Sequence, residues 1–385
     1  MKVAFYAPMK APVDPVPSGD RKIARLFLDA LRDAGHDVEL VSRFRSWEGS
    51  GDAVRQRRLR DAGCHLAQRL LRRYRNGSGA RCPEAWFTYH LYHKAPDWLG
   101  PAVSESLGIP YVVAEASYAP KQTTGPWALG HQAAGAAIAR SAAVLALNST
   151  DIPCVLPLLD DPRRLVPLKP FLDTRDYAPR RRESYDRARA VLQRRFSADA
   201  GRPWLLTVAM MRYGNKLSCY QLLARALTLI KHERVVAWIV GDGPARPEVE
   251  AALADIEGHQ IIFTGLQSAQ TLRDFYAAAD LFAWPAVDEP FGMALLEAQA
   301  AGLPVVAGAS RGVPDIVRDQ VSGRLVAPGD AEAFAQAVVE LLGDRVRLGE
   351  MATAARELTV REHDIAMATA KLNRVLEHVQ QGSLP

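Results

Sequence analysis

Short apolar runs alternate along the chain with longer segments whose apolar side chains recur at helical spacing. That alternation predicts parallel β-sheets joined by crossover helices, an α/β architecture. In the first half, residues 3–7, 38–42, 85–89, 111–115 and 143–147 read as strands. Between the first two, segment 21–34 carries Ile23, Leu26, Phe27, Ala30 and Leu31 on one helical face, and Gly35 stands where a helix stop is expected. The second half restarts the alternation, with strands at 204–209, 235–240, 261–263, 281–284, 305–307 and 325–326. Helical segments fall at 220–230 and 271–279, and a last helix spans roughly 365–380. The stretch 160–203 is rich in proline, arginine and aspartate, which places a junction between two domains there.

A length of 385 residues suits two cores better than one. Apolar content of 48% with 24% charged residues excludes a disordered or fibrous chain. No apolar run approaches the ~18 residues of a spanning helix. The segment from Met1 to Pro8 is too short in apolar residues for a secretory signal, so it reads as a buried strand and the expected location is cytoplasmic. Cys64, Cys82, Cys154 and Cys219 show neither metal spacing nor a disulfide framework, as expected of reduced thiols.

The net charge of +5 is unevenly spread. Arg57, Arg58, Arg60, Arg69, Arg72, Arg73 and Arg75 crowd one helical segment, while Leu59, Leu66, Leu70 and Tyr74 share its other face. Such a basic amphipathic helix either touches an anionic membrane surface, at the inner face, or packs on its own domain. No recognised nucleic-acid motif accompanies the charge, so nucleic acid is not an expected partner.

The chemistry concentrates after the strand at 281–284, in Asp288-Glu289-Pro290-Phe291-Gly292-Met293-Ala294-Leu295-Leu296-Glu297-Ala298. Glu289 sits in the loop. Glu297 sits in a helix apolar on nearly every side, where a lone acid needs a partner. At ~1.5 Å rise per residue it lies about one and a half turns into a helix beginning near Gly292. Two acids so placed can grip different parts of one long polar ligand at a strand's carboxyl end. The plainer alternative makes Glu289 an acid near a helix N-terminus and Glu297 a paired core acid. After strand 204–209 come Arg212 and Lys216, around Gly214 and ahead of a helix. Two cations and free helix-start N–H groups suit a diphosphate. Gly241-Asp242-Gly243-Pro244 and Thr264-Gly265-Leu266 follow the next two strands. Glycines there admit a ligand or another backbone closely, although the first motif is also a serviceable turn.

Two glutamates with seven residues between them, then Ala301-Gly302-Leu303-Pro304-Val305-Val306-Ala307, Gly312-Val313-Pro314-Asp315-Ile316-Val317 and Ser322-Gly323-Arg324-Leu325-Val326, resemble the signature of glycosyltransferase family 4. These are retaining, group 1 enzymes of the GT-B fold. The resemblance implies two Rossmann-like domains whose parallel sheets face each other across a cleft. An acceptor domain would cover 1–170, a linker 171–202 and a donor domain 203–362, with a final helix at 363–385 returning to the first domain. It also implies that Glu289 contacts the transferred sugar as the catalytic residue and that Glu297 holds the ribose hydroxyls. Arg212 and Lys216 would hold the diphosphate. Gly241, Gly243, Gly265 and Leu266 would wall the base, and the N–H groups of Phe291, Gly292 and Met293 would meet sugar hydroxyls.

Two departures stand out. Pro17-Ser18-Gly19-Asp20-Arg21 resembles the family's glycine-bearing loop, so Gly19 is an expected contact. Asp20, however, replaces a second glycine and reads equally as a helix N-cap. Many members carry a histidine just after the strand equivalent to 111–115. This chain has Glu115-Ala116-Ser117-Tyr118-Ala119-Pro120-Lys121 instead, so Glu115, Ser117, Lys121, His90 and His93 are the alternatives for that space.

The implied activity is hexosyl transfer from a nucleoside-diphosphate sugar to a glycan or lipid-linked acceptor, as in polysaccharide biosynthesis. It would proceed with retention and without a metal or any cofactor beyond the donor. No Asp-x-Asp pair lies in a plausible phosphate loop. A nucleotide-sugar epimerase on the same scaffold, or a catalytically silent relative that binds nucleotide or glycan, are the alternatives.

Overall fold

The computed structural model, which describes residues 1–76, 82–177 and 181–384, divides into two units, Met1–Phe171 with Ile365–Pro385, and Leu172–Asp364. The parts of the expected segments at 77–81, 178–180 and 385 lie outside the described residues.

The first unit runs β1 (Lys2–Tyr6), α1 (Gly19–Asp33), β2 (Asp37–Leu40), α2 (Ala53–Arg75), β3 (Ala85–Leu91), α3 (Gly100–Leu107), β4 (Tyr111–Ala116), α4 (Ala128–Arg140), β5 (Ala143–Ala146), α5 (Ile152–Val155) and β6 (Leu165–Pro167). Its sheet is parallel, in the order β2-β1-β3-β4-β5-β6. β1 and β4 are buried along their whole length, as strands covered on both faces must be. From β1 the chain goes to one side for β2 and returns to the other for β3. The topological switch point of this sheet therefore lies between β1 and β3.

β6 falls in the proline-rich stretch that carries no strand pattern. It is a half-exposed edge strand of three residues, made by pairing with β5 rather than by its own periodicity. The arginine-rich helix α2 buries Gln56, Gly63, Ala67, Leu70 and Tyr74 and packs against α3 and α4. A Cβ on Gly63 would lie 2.4 Å from the Trp98 Cβ, so glycine is what allows the helix to come this close. The apolar face is thus consumed by the unit's own core, and Arg57, Arg58, Arg69, Arg72, Arg73 and Arg75 remain exposed.

The second unit contains α6 (Arg182–Phe196), β7 (Trp204–Val208), α7 (Asn215–Leu229), β8 (Val236–Val240), α8 (Arg246–Leu253), β9 (Gln260–Gly265), α9 (Ala269–Ala278), β10 (Leu281–Trp284), α10 (Met293–Ala300), β11 (Val305–Gly308), α11 (Val313–Ile316), β12 (Gly323–Val326), α12 (Ala331–Gly343) and α13 (Arg345–Glu362). Its parallel sheet has the order β12-β11-β10-β7-β8-β9, which puts the switch point between β7 and β10. Trp204, Trp238 and Phe275 stack edge to face in its core, with Trp204 and Trp238 at 4.9 Å. The final helix α14 (Ile365–Gln380) belongs to the first unit, where it packs on α1.

The stretch expected as a linker differs in kind. Residues 172–177 and 181–202 are part of the second unit, and α6 packs on α9. Only Ala188 and Leu192 of α6 are buried. Phe196 adds edge-on packing against Trp238 at 5.5 Å, and the Arg189 guanidinium donates to the Tyr185 hydroxyl at 2.7 Å and to Asp280 Oδ2 at 3.0 Å and lies 4.1 Å from the Trp204 ring. Ala188, Leu192 and Phe196 share one face of the helix, a sparse apolar stripe set among arginines.

Candidate active site

In the second unit, the segments leaving β7, β8 and β9 are joined by backbone hydrogen bonds. Gly241 N donates to Gly265 O at 3.0 Å, Met211 N to Asp242 O at 3.0 Å, and Ala245 N to Met211 O at 3.0 Å. A Cβ at Gly241 would meet Ala209 O at 1.9 Å, and one at Gly243 would meet Met211 O at 2.2 Å. Both also have positive φ, so each glycine is required by backbone geometry as well as by close approach. Leu266, just beyond Gly265, is 63% exposed, and so offers an apolar surface to a ligand.

Arg212 is exposed, with its guanidinium 3.0 Å from the Met210 sulfur. Two residues later Gly214 takes a positive φ and caps α7, so Lys216 stands in the first turn of that helix. The Lys216 ammonium donates to Glu289 Oε2 across the β7/β10 switch point. Trp284 Nε1 donates to the same carboxylate oxygen at 3.2 Å, and the Glu289 N–H donates to Ser310 Oγ at 3.0 Å. Ala286, Asp288 and Arg311 all adopt left-handed backbone around this acid, with φ of 49°, 53° and 42°. Such conformations cost roughly 1–3 kcal/mol each and persist where the surroundings over-determine them. Cys219 lies beside the pair, and burial pushes its thiol up to about 11, so it stays protonated and unreactive.

α10 starts after Gly292, itself left-handed at φ 73°, and all but one of its residues are buried. Phe291 and Met293, on either side of that cap, are each 9% exposed. Glu297 is 9% exposed and accepts a hydrogen bond from the Tyr276 hydroxyl at 2.7 Å. Burial and then the Glu297 carboxylate push the Tyr276 phenol well above its ordinary value, so it remains a donor. The structure therefore gathers Lys216, Glu289, Gly292 and Glu297 at the carboxyl ends of β7 and β10. Trp284, Ser310 and Tyr276, which support these acids, carry no motif in the sequence. Trp284 ends β10, and that position at a strand's carboxyl end was the available signal.

In the first unit, Gly19 opens α1, and a Cβ on it would meet nothing within 4 Å. The N-cap is Ser18, whose side chain accepts from Arg21 N at 3.2 Å, so the capping role considered for Asp20 belongs to its neighbour. Asp20 instead accepts from His90 Nδ1 at 2.9 Å. His90 Nε2 faces Glu115 Oε1 at 3.8 Å. His90 and Glu115 are the penultimate residues of β3 and β4, both in left-handed backbone, with φ of 64° and 60°. Burial opposes charge on His90, but the Glu115, Asp20 and Asp151 carboxylates prevail and raise it to about 9. Glu115 is raised to about 7, chiefly by burial and against the pull of His90. His93 points elsewhere, packing edge-on to Trp127, and burial lowers it to about 4. Ser117 donates to Asp151 at 2.9 Å, and Lys121 is exposed.

Residues 202–344 match the family described as glycosyl transferases group 1. The sulfoquinovosyl transferase SQD2 of Arabidopsis thaliana is 34% identical over 155 residues, 40% of this chain and 29% of that protein. The D-inositol 3-phosphate glycosyltransferase of Salinispora tropica is 35% identical over 211 residues, 51% of this chain and 42% of that protein. The chain thus spans less than half the length of these curated relatives. Across the whole chain, the structure of Anabaena HepE in complex with UDP superimposes with a TM-score of 0.74 at 16% identity, covering 98% of this chain and 100% of that one. At that identity the likeness concerns fold, and the two parallel-sheet units are those of the GT-B architecture. Over residues 202–344 the chain is similar to glycosyl transferases group 1, and its two units have the GT-B fold.

Proposed function

We propose that the chain is a glycosyltransferase of family 4 type that moves a hexose from a nucleoside-diphosphate sugar to a hydroxyl of a glycan or lipid-linked acceptor. The observation that carries this reading is the placement of cations after β7 and acids after β10 on either side of one switch point. Open α/β sheets bind ligands at such points. Departure of the nucleoside diphosphate builds negative charge on phosphate and positive charge on the sugar ring. Arg212, Lys216 and the N-terminus of α10 would stabilise the first, and Glu289 the second. A diphosphate here competes with Glu289 for Lys216, so donor binding would release the carboxylate towards the sugar. Glu297 would accept from ribose hydroxyls while keeping Tyr276. Gly241, Gly243, Gly265 and Leu266 would border the base, and the N–H groups of Phe291, Gly292 and Met293 the sugar hydroxyls.

Retention of configuration and independence of metal are part of the same proposal, supported by the likeness to family 4 signatures. A uridine nucleotide is the first donor to test, because HepE is seen with UDP and with UDP-glucose. The exposed arginines of α2 would hold the protein at an anionic cytoplasmic membrane face by charge alone, each contributing about 1 kcal/mol near such a surface. No helix among the described residues is long and apolar enough to cross a membrane.

A thermal-shift screen with UDP, GDP, ADP and their glucose esters tests the donor assignment, since a ligand that binds only the native state stabilises it by RT ln(1 + [L]/Kd). At a concentration about 100 times Kd the gain is about 2.7 kcal/mol, and at least one nucleotide is expected to raise the midpoint by several degrees. A flat response to all of them contradicts the proposal.

A further inference from the structure

We propose that Arg356 is a positioning residue for Glu297: it ties the carboxyl end of α10 to the segment that enters the second unit, and so sets where the Glu297 carboxylate meets the donor's ribose. This deepens the glycosyltransferase reading, and rests on its assignment of Glu297 to the ribose hydroxyls. Arg356 lies in α13, which packs on α10. Its Nη1 donates both to Ala300 O, at the last residue of α10, and to Thr174 O at 3.1 Å, and its Nη2 donates to Thr174 O at 3.2 Å. One half-buried guanidinium thus holds two carbonyl oxygens from segments far apart in the chain. Burial works against its charge, and the Asp364 carboxylate supports it.

The helix it holds has little else to fix it lengthwise. α10 is eight residues long and starts after Gly292, which gives it no side-chain cap. Apolar packing on nearly every side sets its distance from its neighbours, but its position along its own axis falls to directional contacts. Those lie at the carboxyl end, where Gln299 Nε2 donates to Ile316 O at 3.0 Å and Arg356 meets Ala300 O. The last carbonyls of a helix have no partner within it, and a cation there also matches the negative end of the helix dipole. Glu297 stands less than one turn before Ala300, at ~3.6 residues per turn. A shift at Ala300 is therefore carried to Glu297 with little loss.

The segment at the other end of Arg356 is itself firmly held. Thr174 donates to Asp364 Oδ2 from its N–H at 3.3 Å and from its hydroxyl, and Leu172 N donates to His363 O at 3.0 Å. The residues on the second unit's side of both chain passages, Leu172 and Asp364, are thereby bound into one node. From this node a second path reaches Glu297. Arg273 of α9 donates to Asp176 O at 3.1 Å and to Asp176 Oδ1 at 3.0 Å, and the Tyr177 ring packs edge-on to Tyr276 with centroids 6.2 Å apart. Tyr276 is the donor to the Glu297 carboxylate. Segment 172–177 thus bears on the backbone of α10 through Arg356 and on the Glu297 carboxylate through Tyr276. Changing Arg356 cuts the first path and leaves the Tyr276 bond in place.

The test compares UDP with 2′,3′-dideoxy-UDP by calorimetry on the full chain, and GDP and ADP with their dideoxy analogues in the same way. The members of each pair differ only in the hydroxyls assigned to Glu297. The unsubstituted chain should bind the hydroxylated nucleotide about tenfold more tightly or better, and Glu297→Ala should abolish that preference. Arg356→Met, which cannot donate, should cut the preference about fivefold while affinity for the dideoxy nucleotide stays within about twofold. Arg356→Lys, which keeps the cation but not the planar fork, should fall between the two. A merely structural loss would weaken both nucleotides alike. If Arg356→Met does not fold, Arg356→Lys carries the test, with a loss of preference of about twofold. The inference is overturned if the Arg356 variants keep the full preference, or if both nucleotides weaken together. Preference abolished by Glu297→Ala but kept in the Arg356 variants sinks only this inference. No preference in the unsubstituted chain sinks the ribose assignment, and this inference with it.

Discussion

Replacing Glu289 with Gln is expected to lower turnover with a nucleotide-sugar donor about 10²- to 10³-fold, the loss associated with removing one preorganised electrostatic contact to the transition state. Affinity for the nucleoside diphosphate should stay within roughly threefold, because the substitution removes an interaction made with the sugar rather than with the phosphates. Gln keeps an acceptor for Trp284 Nε1 and leaves the backbone bond to Ser310 in place, so the loop geometry survives while the charge is lost. Lys216 is freed from its carboxylate partner, which works towards tighter rather than weaker diphosphate binding. Initial rates of nucleotide release, with calorimetry for the nucleotide, give both quantities. Turnover within a factor of three of the unsubstituted chain would remove Glu289 from the proposed chemistry.

Glu297→Ala should raise the donor Michaelis constant about 10- to 100-fold, since hydrogen bonds to a charged group contribute about 1.5–3 kcal/mol. The same change leaves the buried Tyr276 hydroxyl without this acceptor and lowers the thermal midpoint, a loss of about 1–3 kcal/mol. Glu297→Gln separates the two effects. It still accepts from Tyr276, so the midpoint should hold, while the donor constant still rises through loss of charge. A donor constant unchanged in both variants would make Glu297 a core acid and nothing more.

Most strands could be read before the structure, because a parallel strand buried on both faces is a continuous apolar run. β10 coincides with its expected span, and α10 is the all-round buried helix that its composition implies. α6 is hard to read because its apolar stripe of Ala188, Leu192 and Phe196 is sparse among arginines, and Arg189 reaching Asp280 and Trp204 is a tertiary contact with no periodic signature. β6 was not legible because only its neighbour makes it a strand. Of the site, the acids and cations of the second unit were visible as spaced residues at strand ends. Their neighbours Trp284, Tyr276 and Ser310 look like ordinary strand, helix and loop residues until the chain folds. Asp20, His90 and Glu115 stand 70 and 25 positions apart, so only the sheet order could bring them into one cluster.

The central claim is that paired acids and paired cations at one switch point clasp a nucleotide sugar. A crystal structure of the chain with UDP tests it most directly. The account predicts diphosphate oxygens within hydrogen-bond reach of Arg212 and Lys216, with the Lys216 ammonium displaced from Glu289 and the ribose hydroxyls on Glu297. UDP bound away from β7 and β10, with Lys216 still on Glu289 and Glu297 turned only to Tyr276, would contradict it.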